Sequence, residues 1–382
     1  MPHSSLASRL ITRIVDTSVL LIVGTFAALV WANLDLEHYH QYAHALHFAA
    51  NDIGMVFFFG LATKEVFEAM LPGGPLSSPR QAAVPLLAAV GGMAAPAGIY
   101  LSAALLLDHS EMMRGWAIPT ATDIAFSYLV ARIVFPRGHA AIPFLLMLAI
   151  ADDAMGLIVL AVFYPTGEVA LAQLFALLVP AVILAWGLRR AGVRNFWAYI
   201  AGPGVVAWVA LFVGGMHPAL ALVPIVPFMP HDKVPIKPFG RRKAVVATTM
   251  HEFEHWWRFP VQIVLMLFGF ANAGVPISSV GFVTWVVLAS LVIGKPIGIV
   301  LTSWIAERLG FERADDLDYP ALLVLGVAAG IGFTVALFFT TAAFRPGLVL
   351  DEAKMGALLS FLAAPLALLL GRLLKLQKRP RA

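Results

Sequence analysis

The sequence predicts an all-helical, polytopic membrane protein, on three observations. Hydrophobic residues make up 60% of the 382 and charged residues only 13%, about half the share of a soluble domain. Apolar stretches long enough to cross a hydrocarbon layer of about 30 Å recur with short polar connections. The basic residues fall almost wholly on one side of those stretches. A chain of this length folded in water would need a polar coat for about two domains, which so few charges cannot supply. Zero cysteines exclude disulfides, thiolate metal sites and a cysteine nucleophile.

Twelve transmembrane helices are predicted, at approximately 16–32, 52–71, 80–107, 116–134, 139–164, 168–188, 196–213, 217–229, 256–274, 283–305, 319–343 and 355–374. The first follows Arg9 and Arg13 and reads as a retained helix, since removing it would leave an odd number of spans. The eighth is short, and Pro218, Pro224 and Pro227 crowd it. With both termini on one side, that side collects all of the 26 Lys and Arg except Arg114, Arg345 and Lys354, which fall opposite, and Lys295, which lies within a span. The positive-inside rule then makes both termini cytoplasmic. The net charge of +4 therefore reflects topology, and no nucleic-acid partner is implied. No linker divides the chain, so residues 1–382 read as a single membrane domain.

Four charged residues fall near the middle of predicted spans: Asp123, Asp152, Asp153 and Lys295. Each costs about 2.5 to 3.5 kcal/mol at a helix centre. Buried ion pairs that fix helix packing would account for some of them. Three acids against one base cannot all pair, so at least one carboxylate is left to hold a proton or a cation. Asp152 and Asp153 are adjacent, and neighbours on a helix point about 100° apart, which lets one face a base while the other faces a cavity. Lys295 is the natural basic partner.

Two spans also carry candidate breaks. In WAIPTATDIAFSY, residues 116–128, Pro119, Thr120 and Thr122 precede Asp123, and proline removes a backbone donor. In GIGFTVALF, residues 330–338, Gly330 and Gly332 bracket Ile331. Taken singly, each is also what a kinked or closely packed membrane helix would show. The breaks fall in the middle members of spans three to five and ten to twelve, groups that start on opposite sides of the membrane. Residues of approximately 80–164 and 283–374 are thus predicted to be inverted repeats with two discontinuous, crossed helices, the pattern of a secondary transporter. Asp123 would neutralise helix N-termini there, and Lys295 the C-terminal ends.

At these residues the chain resembles the NhaA family of bacterial sodium/proton antiporters. The likeness is carried by RQAAVPLLAAVGG at 80–92, WAIPTATDIAF at 116–126, AIADDAMG at 149–156, FANAGV at 270–275, GKPIG at 294–298 and GIGFT at 330–334. It implies that Asp153 binds the sodium ion, with Asp152 beside it as a second oxygen ligand and as the partner of Lys295, and that Asp123 and Thr122 lie where the broken helices cross. It further implies electrogenic exchange of Na+ or Li+ for more than one H+, no cofactor, residence in the lipid bilayer of the bacterial inner membrane, activation at alkaline pH, and a homodimer. The chain departs from the family at Gly60-Leu61-Ala62-Thr63-Lys64-Glu65, where a cytoplasmic acid linked to pH response is missing, and in a shorter loop between spans one and two.

His251-Glu252-Phe253-Glu254-His255 spells the H-E-x-x-H of zinc proteases, which opens an intramembrane metalloprotease as a competing class. No third ligand in a fitting motif accompanies it. The resemblance instead places Glu254 and His255, with Glu252 beside them, at a cytoplasmic mouth implicated in pH sensing. A third class is a sodium-coupled solute symporter built on related repeats. His38, His40, His44 and His47 in the first external loop read as an interfacial helix, and His217 as a loop residue.

Overall fold

The computed structural model describes residues 18–231, 248–314 and 316–376. The start of the first predicted span, Arg9, Arg13, the basic run from Lys233 to Lys243, Asp315 and the C-terminal Lys378, Arg379 and Arg381 lie outside the described residues. Among the described residues every regular element is helical. Of the described helices, seven are long and apolar enough to cross a membrane, or nine if each of two bent pairs counts as one span.

The order begins with α1 (Val19–Leu34), α2 (Leu36–His47), a π segment (Phe48–Gly54) and α3 (Met55–Met70). Next come α4 (Pro79–Leu106), α5 (Ile124–Val134), α6 (Ala141–Phe163), α7 (Leu171–Arg190), α8 (Phe196–Tyr199), α9 (Val205–Val213) and α10 (Thr249–Asn272). The chain continues through α11 (Phe282–Ala289), α12 (Lys295–Arg308), α13 (Tyr319–Ala329), α14 (Phe333–Ala343), α15 (Leu348–Leu359) and α16 (Ala363–Leu373).

Three regions differ from the sequence expectation. The histidine-bearing segment is helical but not separate, because α2 runs through the π segment into α3 as one 35-residue helix, Leu36–Met70. Among the described residues α1 is 16 residues long, about one turn short of a full crossing. Residues 217–229 form no α-helix; they turn through short 3-10 pieces at Pro218–Leu220 and Val226–Phe228. The prolines that crowd this stretch lack the N–H a helix needs. His217 is buried rather than looped out, and its ring accepts from the Ala219 N–H at 3.4 Å.

The residues group into two compact units, of which one comprises Met1–Ala28, Glu37–Ser77 and Leu157–Ala271. Within it the irregular stretch 217–229 is mostly buried, including Ala219, Ala221, Leu222, Ile225 and Val226. Non-helical backbone is tolerated in a membrane protein where protein surrounds it.

The second unit comprises Leu29–Leu36, Ser78–Gly156 and Asn272–Ala382. It holds the counterparts of spans three to five, up to Gly156, and of spans ten to twelve. α4 and α12 cross at Gly91 and Gly298, where a Cβ on either would run into the other's backbone. Small residues permit this approach, as in other membrane helix pairs. The crossing fixes Lys295 less than one turn away, at the first residue of α12. A π segment, Ser290–Gly294, precedes Lys295; Pro296 cannot supply the N–H that an α-helical register would require of it.

Candidate ion-binding site at two broken helices

Both bent pairs belong to the second unit, and their breaks meet. The first half of one is 3-10 in character, Ser110–Gly115 and Ile118–Thr120, and bends by 54° into α5; α13 bends by 52° into α14. Pro119 lies in the 3-10 piece before the first break, and Ala121 and Asp123 are extended. The Asp123 N–H donates to the Ile331 carbonyl at 2.7 Å, between Gly330 and Gly332. A Cβ on Gly332 would stand 3.1 Å from the Ala121 carbonyl oxygen, a tight contact that one of the two breaks would have to relieve.

Breaking two helices leaves backbone dipole ends in the protein interior. Asp123 caps α5, accepting from the Phe126 N–H at 3.4 Å through Oδ1. Its Oδ2 accepts from the Thr334 N–H at 3.3 Å and from the Thr334 hydroxyl. One carboxylate thus faces the first turns of both α5 and α14, where a negative charge is favoured. Lys295 donates to the Thr120 carbonyl at the end of the 3-10 piece, where a cation is favoured.

Asp152 projects from α6. Its Oδ2 lies 3.1 Å from Lys295 Nζ and accepts from the Thr122 hydroxyl at 2.6 Å. Its Oδ1 is buried and has no hydrogen-bond partner among the described residues. Removing one member of a buried ion pair costs about 3 to 5 kcal/mol, because the other charge is left uncompensated. Asp153, half-buried on the next position of α6, acts on Lys295 through its charge. The structure therefore brings Asp152, Thr122, Thr120 and Lys295 into contact, sets Asp153 beside them, and joins Asp123 to the same breaks. Two carboxylates and a hydroxyl are hard oxygen donors, suited to a small hard cation or to protons.

The pH-sensing candidates lie in the first unit. Glu254 Oε2 is 2.6 Å from Lys64 Nζ and 3.7 Å from His251 Nδ1, and Lys64 is 2.7 Å from Glu68 Oε2. Burial raises the Glu254 carboxyl, but the Lys64 ammonium and its hydrogen bond outweigh it and hold the group below the usual carboxylate range. Glu252 and His255 are exposed. Among the described residues no three His, Cys, Asp or Glu side chains are grouped to hold a metal.

Sequence reasoning did not single out Thr334, although it closes the GIGFT motif, nor the clamp on Lys64. The i,i+4 spacing of Lys64 and Glu68 on one helix face was the available indication.

Residues 8–371 match the family described as Na+/H+ antiporter 1. A relative from Desulfitobacterium hafniense (strain Y51), named Na(+)/H(+) antiporter NhaA, is 46% identical over 374 residues, covering 95% of each chain. One of the same name from Geobacter sulfurreducens is 44% identical over 373 residues, 96% of this chain and 98% of its own. Another from Geotalea uraniireducens is 43% identical over 372 residues, 95% of this chain and 96% of its own. With a match across nearly its whole length, the chain belongs to the Na+/H+ antiporter 1 family.

Proposed function

We propose that the protein is an electrogenic sodium/proton antiporter that exports Na+, and Li+ with it, in exchange for H+ across the bacterial inner membrane. The observation that carries this reading is the Asp152 carboxylate: buried, bonded through one oxygen to Thr122 and Lys295, its other oxygen without a hydrogen-bond partner among the described residues, with Asp153 next to it in sequence. An under-satisfied carboxylate in a dry site is costly unless a cation or a proton completes it. Family membership and the names of the relatives support the same activity.

The proposed cycle is competition for these oxygens. Deprotonated Asp153 and Asp152 take a small cation, assisted by backbone carbonyls at the breaks. Cation binding weakens the Asp152 to Lys295 pair, the site opens to the other side, and protons displace the ion. Asp123 keeps the helix ends neutralised while this happens. Each charge moved across the membrane exchanges about 2.3 kcal/mol per 100 mV with the membrane potential, which lets the cell expel sodium against its gradient.

The topology proposed for this cycle has twelve crossings in one transporter domain over 1–382, both termini cytoplasmic, and inverted repeats at approximately 80–164 and 283–374. The placement of both bent pairs in one compact unit supports the repeats. Residues 217–229 are assigned as an irregular crossing shielded by protein. Homodimerisation follows the family expectation.

In everted vesicles, wild-type protein is expected to change the internal pH on addition of Na+ or Li+ but not K+. Asp153→Asn should abolish that response while the protein still folds. Full activity in this variant refutes the site, and solute uptake driven by Na+ with no proton movement would favour a symporter. Stoichiometric zinc, with activity lost in Glu252→Gln, would favour the protease.

A further inference from the structure

We propose that His40 and His44 form a site for a divalent transition-metal ion, Cu2+, Ni2+ or Zn2+, on the exposed face of α2. Neither residue takes part in the ion exchange proposed above. The four-residue spacing falls within regular α-helix, since α2 keeps that form over Leu36–His47 and the π segment starts only at Phe48. Side chains four apart on an α-helix share one face, with Cβ atoms about 5 to 6 Å apart. Two imidazoles so placed reach a single ion, as the paired histidines of helical zinc motifs do.

The frame that carries them is held in place. Tyr39 and Ala43, one position earlier on each turn, are buried. The Tyr39 hydroxyl donates to the Phe270 carbonyl at 2.7 Å, and the two rings pack edge to face. These contacts pin one face of α2 against α10. The face about 100° round from it presents His40 and His44, both exposed. A pair pre-positioned in this way loses little freedom on taking an ion.

The neighbouring histidines are placed differently. His47 Nε2 lies 3.0 Å from Asn51 Nδ2, so that nitrogen is already engaged. His38, two positions before His40, points nearly the opposite way round the helix. Among the described residues no third His, Cys, Asp or Glu is grouped with the pair to close a metal shell, which leaves the other coordination positions to water. Imidazole ligands select Cu2+, Ni2+ and Zn2+, whereas Mg2+ and Ca2+ take oxygen shells. The topology proposed above sets α2 on the external side, so the ion is one supplied from outside the cell.

The test is calorimetric titration of the full-length protein, free of any polyhistidine tag, with Zn2+, Cu2+ and Mg2+. His255→Gln serves as the parent, because His251 and His255 repeat the spacing on α10 and zinc held there would otherwise enter the result. Zn2+ and Cu2+ should bind saturably, Cu2+ the more tightly, and Mg2+ should not. His44→Gln should weaken Zn2+ binding roughly 100-fold, the low end of what joining two ligands on one frame gains. His40→Gln should do the same, and His38→Gln should leave binding intact. Absence of saturable Zn2+ binding in the parent overturns the proposal even if the further variants do not fold. Unchanged binding in folded His44→Gln, an equal loss in His38→Gln, or Mg2+ bound as tightly as Zn2+ would overturn it as well. Sodium-driven proton movement is no part of the readout, so failure here leaves the antiport reading standing.

Discussion

Lys295 and Lys64 are both lysines shut away from water and set against carboxylates, yet the two clusters are built on opposite terms. Around Lys64, two glutamates each place an oxygen within 2.7 Å of one ammonium, and the Glu254 side chain keeps 29% of its surface exposed. The ammonium has two carboxylate partners, and water reaches the acids. Around Lys295 the pair with Asp152 is sealed, at 0% and 1% side-chain exposure, and one carboxylate oxygen has no hydrogen-bond partner among the described residues. A wet cluster holds helices together and responds weakly to change. A dry one, whose Asp152 carboxylate has an oxygen with no hydrogen-bond donor among the described residues, stores an unmet demand that a transported cation or proton can meet.

The largest expected effect comes from breaking the dry pair. Asp152→Asn leaves Lys295 buried against an amide, and the thermal stability of the protein in detergent should fall by about 3 to 5 kcal/mol. Adding Lys295→Met should recover most of that loss, since a buried pair replaced by apolar side chains is often neutral. Sodium-driven proton movement should stay absent in both variants. A single variant as stable as wild type would mean that Lys295 sheds its proton readily. Transport by the double variant would remove the pair from the proposed cycle.

How much of this was readable beforehand depends on how local the chemistry is. Asp123, Asp152, Asp153 and Lys295 announce themselves because a charge in an apolar run is costly, and Pro119 and the Gly330/Gly332 pair mark breaks because their backbone consequences are local. Thr334 does not announce itself: hydroxyls are unremarkable in membrane helices, and its partner Asp123 is 211 positions away. From sequence Lys64 reads only as one of the basic residues that set topology, since a lysine near a span end looks the same whether it snorkels or is clamped. Residues 217–229 are as apolar as a helix, and hydropathy carries no information on whether three prolines kink the helix or dissolve it.

Thr334 offers a sharper cut within the dry region. Thr334→Val keeps the shape and the backbone N–H but removes the hydroxyl that donates to Asp123. A hydrogen bond to a charged group is worth about 1.5 to 3 kcal/mol, so stability should fall by that amount and Thr334→Ser should restore it. Equal stability of the valine and serine variants would show that the backbone N–H alone holds Asp123.

The smallest effect is expected at the wet cluster, and its pH dependence is the informative part. Glu254→Gln removes one of two acids from Lys64 and leaves Glu68 in place, so the loss should be about 1 kcal/mol or less near neutral pH. Because Lys64 holds the Glu254 carboxyl below its ordinary value, the folded state binds that proton more weakly than the unfolded chain does. The stabilisation is therefore complete above the unfolded carboxylate pKa and disappears as the pH falls through the depressed folded value. The difference in melting temperature between wild type and Glu254→Gln should be constant from neutral to alkaline pH and shrink in acid. A difference that instead grows or reverses between pH 7 and 9 would show that the cluster titrates in the alkaline range, as the pH-sensing role expected of Glu254 requires.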